Sequence, residues 1–404
     1  MDEDIKKTQD GDIKRNTGED VGPRRWDRIE QEDHQVFTRI SDNKEQRFTA
    51  PLTVGKGRYE IYDILSAAGS FGIIYKARDR RLRGHEVLIK CRRYDGEPGL
   101  FSHKDDASRE GNIERIREKT KFEADCLTLF KQTRECRMPI LNNVVFDRSP
   151  SIHGPHRDED TGEEYYVEED YVYDEPYIVM QVINGTNLGD YVRRGPRKIC
   201  EERGYKCFYE WEKEVLGYVK ELTSILDGFH KPRNDGRGDY YYIYQDLKPD
   251  NIILSQNRFI TLLDFGGITE IKLKTRIGAD GRTEKYTETG EGSPGLGTFG
   301  FQAPEARNPV LLKNLDKRCD IYTLGATMYQ LLTGFDYTEL LETPDSEIPL
   351  ERSLKGACSD ATYDVIKRCL EQDREKRYRT MREVMTDIVK NCFTGVKEKI
   401  REYY

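Results

Sequence analysis

The stretch YIYQDLKPDNIIL, residues 242–254, sets two carboxylates, an ammonium and two amides between two apolar runs. A carboxylate can take a proton, an ammonium can steady an anion, and an amide oxygen can ligate a hard cation. Asp246, Lys248 and Asn251 therefore form a triplet suited to a charged substrate. The alternative is a polar surface turn, which would need the same ordered triplet to arise by chance. Two further groups flank it in the chain. Upstream, AAGSFGII at 67–74 places small residues where backbone N–H groups can approach a phosphate, and an apolar run VLIK ends on Lys90. Downstream, the tripeptide Asp264, Phe265 and Gly266 follows the apolar run FITLL. A lone Gly-rich turn is most often a hairpin, and a lone D-F-G is common. Their order along one chain is rare.

These residues need elements to position them. RYEIYDILSAAGSFGIIYKARD alternates β-branched and aromatic residues around the small-residue cluster, which predicts strand, turn, strand, with HEVLIKCRRY as a third strand. From Glu110 to Phe130 apolar residues recur at helical spacing, with Phe122, Cys126, Leu129 and Phe130 on one face and Glu123 beside it. PYIVMQVING reads as a buried strand. WEKEVLGYVKELTSILDGFH, CDIYTLGATMYQLLTG and TMREVMTDIVKNC read as helices. Strands come first and helices later, which predicts a small β-rich lobe and a larger helical one.

The 404 residues allow a sizeable core or two lobes. A net charge of -8 gives no overall positive field for nucleic acid. Nine scattered cysteines with no C-x-x-C pair point to reduced thiols in the cytoplasm, and no apolar run is long enough to span a membrane. Residues 1–56 are charged and Gly-rich, and predict a flexible polar leader, with a docking segment around Trp26 to Phe37 as the minority alternative. Charged loop insertions are expected at 92–119 and 147–175, and 393–404 reads as a short tail.

By order and spacing these pieces resemble the eukaryotic-like (Hanks-type) serine/threonine protein kinases over roughly residues 59–390. The resemblance implies an α+β, bilobal kinase fold across 57–392, with a β-rich N-lobe carrying one main helix at about 57–181 and a mainly helical C-lobe at about 182–392. It implies ATP and Mg²⁺ as cofactors, and transfer of the γ-phosphoryl group to Ser/Thr hydroxyls of protein substrates. In the family pattern Asp246 orients and accepts the proton of the substrate hydroxyl, Lys248 steadies the transferred group, and Asn251 and Asp264 hold metal. ATP would be held by Ala67, Gly69, Gly72, Ile74, Lys90 with its partner Glu123, and backbone groups at Gln181 and Ile183 beyond Met180; Asp125 is the other acid near Glu123. GTFGFQAPE resembles the segment that closes the activation loop, with Thr298 beside the catalytic Asp and Glu305 pairing a buried Arg377. Asp320 would accept hydrogen bonds from the catalytic-loop backbone; an N-cap explains it equally well.

Four positions depart from the pattern. Tyr244 and Gln245 replace a His and an Arg, Ala67 replaces a glycine, and Leu88 stands where a small Ala covers the adenine. The missing Arg normally binds a phosphorylated loop residue, which a neutral Gln cannot do bidentately. Activity is therefore expected not to depend on loop phosphorylation through this residue. Thr269, Thr275, Thr283, Tyr286, Thr287, Thr289 and Ser293 are the candidate phosphosites in the expected loop at 267–296. The alternatives are a pseudokinase that binds or scaffolds, favoured by Leu88 and Gln245, and a kinase-fold enzyme with a small-molecule substrate. A metal module around His153 and His156 has no further ligands in sequence. The leader is where a regulatory partner would bind.

Overall fold

The computed structural model describes residues 26–30, 34–41, 44–67, 72–92, 106–133, 141–150, 156–157, 164–165, 171–236, 238–277, 282–335, 354 and 356–403. The chain divides into two compact units, one of 1–120 with 141–182 and one of 121–140 with 183–404.

The first unit is built on strands. β1 (Asp27–Glu30), β2 (His34–Ser41) and β3 (Lys44–Pro51) form an antiparallel sheet in that order. β4 (Thr53–Val54), β5 (Tyr59–Ser66), β6 (Ile73–Asp79), β7 (His85–Cys91), β8 (Leu141–Pro150) and β11 (Tyr171–Gln181) form a six-stranded sheet ordered β4-β5-β6-β7-β11-β8. β9 (His156–Arg157) and β10 (Glu164–Tyr165) pair separately. Period-two alternation sorts each strand of the large sheet. Val87, Ile89 and Cys91 of β7 join Tyr59, Ile61, Tyr75, Tyr177 and Val179 in one core, and Trp26, Phe37, Phe48 and Ala50 belong to that same core. The other face of β7 carries Leu88 and Lys90, in register with Met180 and Ile178.

This corrects the expected leader. Residues 27–30, 34–41, 44–51 and 53–54 are strands, and Phe37, opposite Phe48 in the β2–β3 register, is fully buried. The Gln35 amide donates to Pro51 O at 2.8 Å and Ile61 O at 3.0 Å, tying β2 to β3 and β5. Averaged over 56 residues, the charge hides a few large apolar residues that find partners only after the chain folds back. Residues 1–25 lie outside the described residues. The insertions shrink as well. Helix α1 (Asp106–Thr133) takes the second half of 92–119, with Ile113, Ile116 and Thr120 buried. β8 and β11 extend as far as Pro150 and from Tyr171, into the expected loop at 147–175.

The second unit begins with residues 121–133 of α1. It continues through β12 (Gly185–Asn187), α2 (Leu188–Arg194), α3 (Pro196–Arg203) and α4 (Phe208–Phe229). α4 buries Trp211, Val215, Val219, Leu222, Leu226 and Phe229, and the Trp211 indole donates to Leu331 O at 2.9 Å. Leu331 lies on α5 (Arg318–Thr333), an almost wholly buried helix that ends where Gly334 takes a left-handed φ of 79°. α6 (Asp360–Cys369) and α7 (Met381–Asp387) follow, then a π-helical turn (Ile388–Cys392) and α8 (Phe393–Tyr403). The expected tail at 393–404 is thus a helix over 393–403, with Val396 buried.

Two small sheets complete this unit. β15 (Ile252–Ser255) pairs β12 and β16 (Ile260–Leu262). β13 (Arg233–Asn234), β14 (Asp239–Ile243), β17 (Thr269–Ile277) and β18 (Thr283–Gly292) form a sheet in that order. The last two strands correct the loop expected at 267–296, which is a β-hairpin whose first strand extends the sheet from β14. Gly292 closes it at φ 114°, where a Cβ would lie 2.3 Å from Ile268 O. Among the described residues no helix is long and apolar enough to cross a membrane, and no cluster of three or more acidic, His or Cys side chains could hold a metal ion.

Candidate active site

β14 ends at Ile243, and Asp320 on the first turn of α5 fixes the backbone of the two residues beyond it. Its fully buried carboxylate accepts from the Tyr244 N–H at 2.9 Å and the Gln245 N–H at 2.7 Å, and pairs with His230 Nε2 at 2.8 Å. Tyr244 is fully buried, stacks on Phe229, meets Phe265 edge-on and donates its hydroxyl to Leu263 O. The residue before Asp264 is therefore tied to the loop that carries Asp246.

Asp246 sits at the centre. Its Oδ1 accepts from Thr298 N at 3.0 Å and Thr298 Oγ1 at 2.9 Å, and its Oδ2 from Asn251 Nδ2 at 2.8 Å. Lys248 Nζ lies 3.3 Å from Oδ2 and donates to Thr298 Oγ1. Burial raises the Asp246 pKa above the ordinary carboxylate value; the Lys248 charge and the Thr298 and Asn251 hydrogen bonds pull it down, while the Asp264 charge pushes it up. Asn251 spends its NH₂ on Asp246, through Oδ2 and the main-chain O at 2.8 Å, so its amide oxygen is the end left for a cation.

Asp264 holds a left-handed φ of 52°, with its Oδ1 accepting from Gly266 N at 3.1 Å. Such a conformation in a non-glycine residue is held by its surroundings, here by Phe265 buried against Phe229 and Tyr244. Glu123 is buried and accepts from the Phe265 N–H at 3.2 Å, whereas Asp125 is exposed. Further along, Glu305 and Arg377 form a bidentate pair at 2.7 and 2.9 Å, with the guanidinium wholly buried.

The remaining expected residues belong to the first unit. Lys90 is buried on β7, and Ile74 faces the same side, opposite it in the β6–β7 register. Ala67 is buried at the end of β5. At Gly72 a Cβ would lie 2.6 Å from Cys91 O, so the neighbouring strand itself demands a glycine there. Gly69 lies outside the described residues. Gln181 is exposed at the end of β11, and Ile183, half-buried, opens the second unit. Lys90 and Glu123 thus belong to different units.

Two roles are not readable from the sequence. His230 follows the apolar stripe of α4, and its place there is the only signal, although a histidine at a helix end has many bland explanations. Gln245, which reads in sequence as a lost charge, makes four side-chain hydrogen bonds.

A β-rich unit and a helical unit carrying this ordered set of loops define a class of protein. The model of the protein kinase domain matches residues 163–389, more than half of the chain, and the chain belongs to that family. The match begins after Lys90. Among similar curated proteins, the serine/threonine-protein kinase PknB of Mycobacterium tuberculosis is 27% identical over 53% of this chain and 30% of its own length. Serine/threonine-protein kinase A of Synechocystis sp. is 27% identical over 41% of this chain and 27% of its own. The serine/threonine-protein kinase Sgk1 of Danio rerio is 29% identical over 50% and 39%. The chain thus spans well under half the length of these relatives, all of which are serine/threonine kinases.

Proposed function

We propose that the chain transfers the γ-phosphoryl group of ATP to Ser or Thr hydroxyls of protein substrates. The observation that carries this reading is the closed group of Asp246, Thr298, Lys248 and Asn251, in which each side chain is fixed by another. Phosphoryl transfer asks little covalent chemistry of the protein and depends on placed charges. Asp246 takes the proton of the acceptor hydroxyl, and its raised pKa makes it a better base than a free carboxylate. Lys248 places a positive charge against the transferred group, and Thr298 holds both.

Asn251, through the amide oxygen left free of Asp246, and Asp264 would hold Mg²⁺, a donor set of hard oxygens that suits it. When bound, the ion would neutralise phosphate charge. On the same reading Lys90 takes the α- and β-phosphates, Gly72 lets the backbone approach them, and the backbone at Gln181 meets the adenine. The charged sequence with an odd number of cysteines suits a cytoplasmic setting. Incubation with γ-labelled ATP, Mg²⁺ and casein, followed by phosphoamino-acid analysis, tests the reading. Label on Ser and Thr, absent with Asp246→Asn, is expected; label on a small molecule alone, or none, would refute it.

A further inference from the structure

We propose that Gln245 is a positioning residue that clamps both ends of the β17–β18 hairpin. On this proposal the activation segment is set without any phosphate. This rests on the kinase reading above and concerns how the same site is kept in its working arrangement.

The side chain is buried and its backbone is held at a left-handed φ of 66°, a conformation that costs a non-glycine residue energy unless its surroundings impose it. The Gln245 N–H bond to Asp320 supplies that constraint. In this pose Nε2 donates to Gly267 O at 2.6 Å and Thr269 Oγ1 at 2.7 Å, at the entry of the hairpin. It also faces Ser293 O at 3.3 Å, while Oε1 accepts from Gly295 N at 3.1 Å, at the exit. Two N–H groups serve three acceptors and one lone pair serves a donor, so only a carboxamide satisfies both ends at once. An arginine has no acceptor for Gly295 and would bring a charge into carbonyl surroundings.

The clamp is reinforced on either side. Ser293 N donates to Thr269 Oγ1 at 3.2 Å, and Gln302 Nε2 donates to Gly295 O at 2.6 Å. Three residues past Gly295, Thr298 meets Asp246, so the exit segment is held one short step from the proton acceptor. Thr269 and Ser293 are themselves buried within the clamp, which removes these two from the candidate phosphosites. Thr275, Thr283 and Tyr286 lie exposed towards the far end of the ribbon, away from the base that Gln245 ties.

The test uses the full chain, phosphatase-treated, with casein as acceptor and hydrogen exchange as a second readout. Gln245→Met keeps the shape and loses the amide. It should lower kcat on casein tenfold or more while the KM for ATP stays within twofold. It should also speed exchange across 267–296 at least tenfold without changing α4 or α5. Gln245→Glu, which keeps an acceptor but loses the donors, should not rescue it, and wild type should be equally active before and after phosphatase. If Gln245→Met also loosens α4 and α5, Thr269→Val decides by the same readouts, since it removes a link at the same base. Unchanged kcat and exchange in these variants, or loss of wild-type activity on phosphatase treatment, would overturn the proposal. A wild type inactive on every acceptor would instead refute the kinase reading, and exchange alone would then decide the clamp.

Discussion

Arg377 offers a perturbation whose size can be worked from the structure. Its five N–H groups are all used: two on Glu305, one on Glu371 O at 2.7 Å, one on Arg318 O at 3.1 Å and one on Gln372 O at 3.3 Å. Arg377→Met fills similar space but leaves the buried Glu305 carboxylate with a single weak donor, Cys319 Sγ at 3.4 Å. Removing one partner of a buried pair costs about 3 to 5 kcal/mol. In a unit of this size each kcal/mol shifts Tm by about 2–4 °C, so a fall on the order of 10 °C is expected. The chain holds two tryptophans, Trp26 in the first unit and the buried Trp211 in the second. In a Trp26→Phe background, Trp211 fluorescence reports the second unit alone, in which Glu305 and Arg377 both lie. Adding Glu305→Gln should recover part of the loss, because the uncompensated charge is then gone. A shift below about 2 °C, or no recovery in the double variant, would refute the reasoning.

Asp246 should show its raised pKa in the pH profile: kcat/KM on casein should fall, as pH drops, at a higher pH than an ordinary aspartate would give. Thr298→Val removes the side-chain hydrogen bond that lowers this pKa, so the acid limb should move further up; a limb that stays in place would contradict the assignment. The sign for stability is opposite to that of a salt-bridged acid. A folded pKa above the ordinary aspartate value of 3.8 means that ionisation costs stability as pH rises through the folded pKa. Asp246→Asn should therefore melt no lower than wild type at pH 7, and any advantage should vanish below about pH 4. A chain begun at residue 57 loses Trp26, Phe37, Phe48 and Ala50 from the first unit's core, and each large side chain is worth about 1.5–3 kcal/mol. It should bind a hydrophobic dye and be cleaved rapidly in β5–β7, whereas wild-type proteolysis kinetics in that chain would contradict the packing.

Where chemistry dictates residue type, the sequence was legible. The ordered triplet Asp246, Lys248 and Asn251 stands out by residue type, the family resemblance adds Thr298, which the structure brings to Asp246, and the helices α4 and α5 follow directly from their apolar periodicity. The β1–β3 sheet was not legible, because its core residues are isolated among charges and their burial depends on the long-range register of Phe37 with Phe48 and on the bonds from Gln35 to Ile61. The hairpin escapes notice for another reason. β18, TEKYTETGEG, is polar and largely exposed, so no hydrophobic pattern marks it. Backbone pairing to β17, the side-chain bonds of Gln245, Thr269 and Gln302 at its base, and Thr289 bonded to Leu312 O and Leu315 N hold it. Gln245 reads as a missing charge because side-chain type alone cannot show that four partners converge on it.

The central claim is that Asp246 takes the acceptor's proton in phosphoryl transfer. The most direct test is kcat for casein phosphorylation at saturating Mg-ATP, for wild type and for Asp246→Asn, with both proteins shown to be folded by tryptophan fluorescence. Loss of a positioned base predicts a fall of about 10²–10⁴; equal rates in the two proteins would contradict the account.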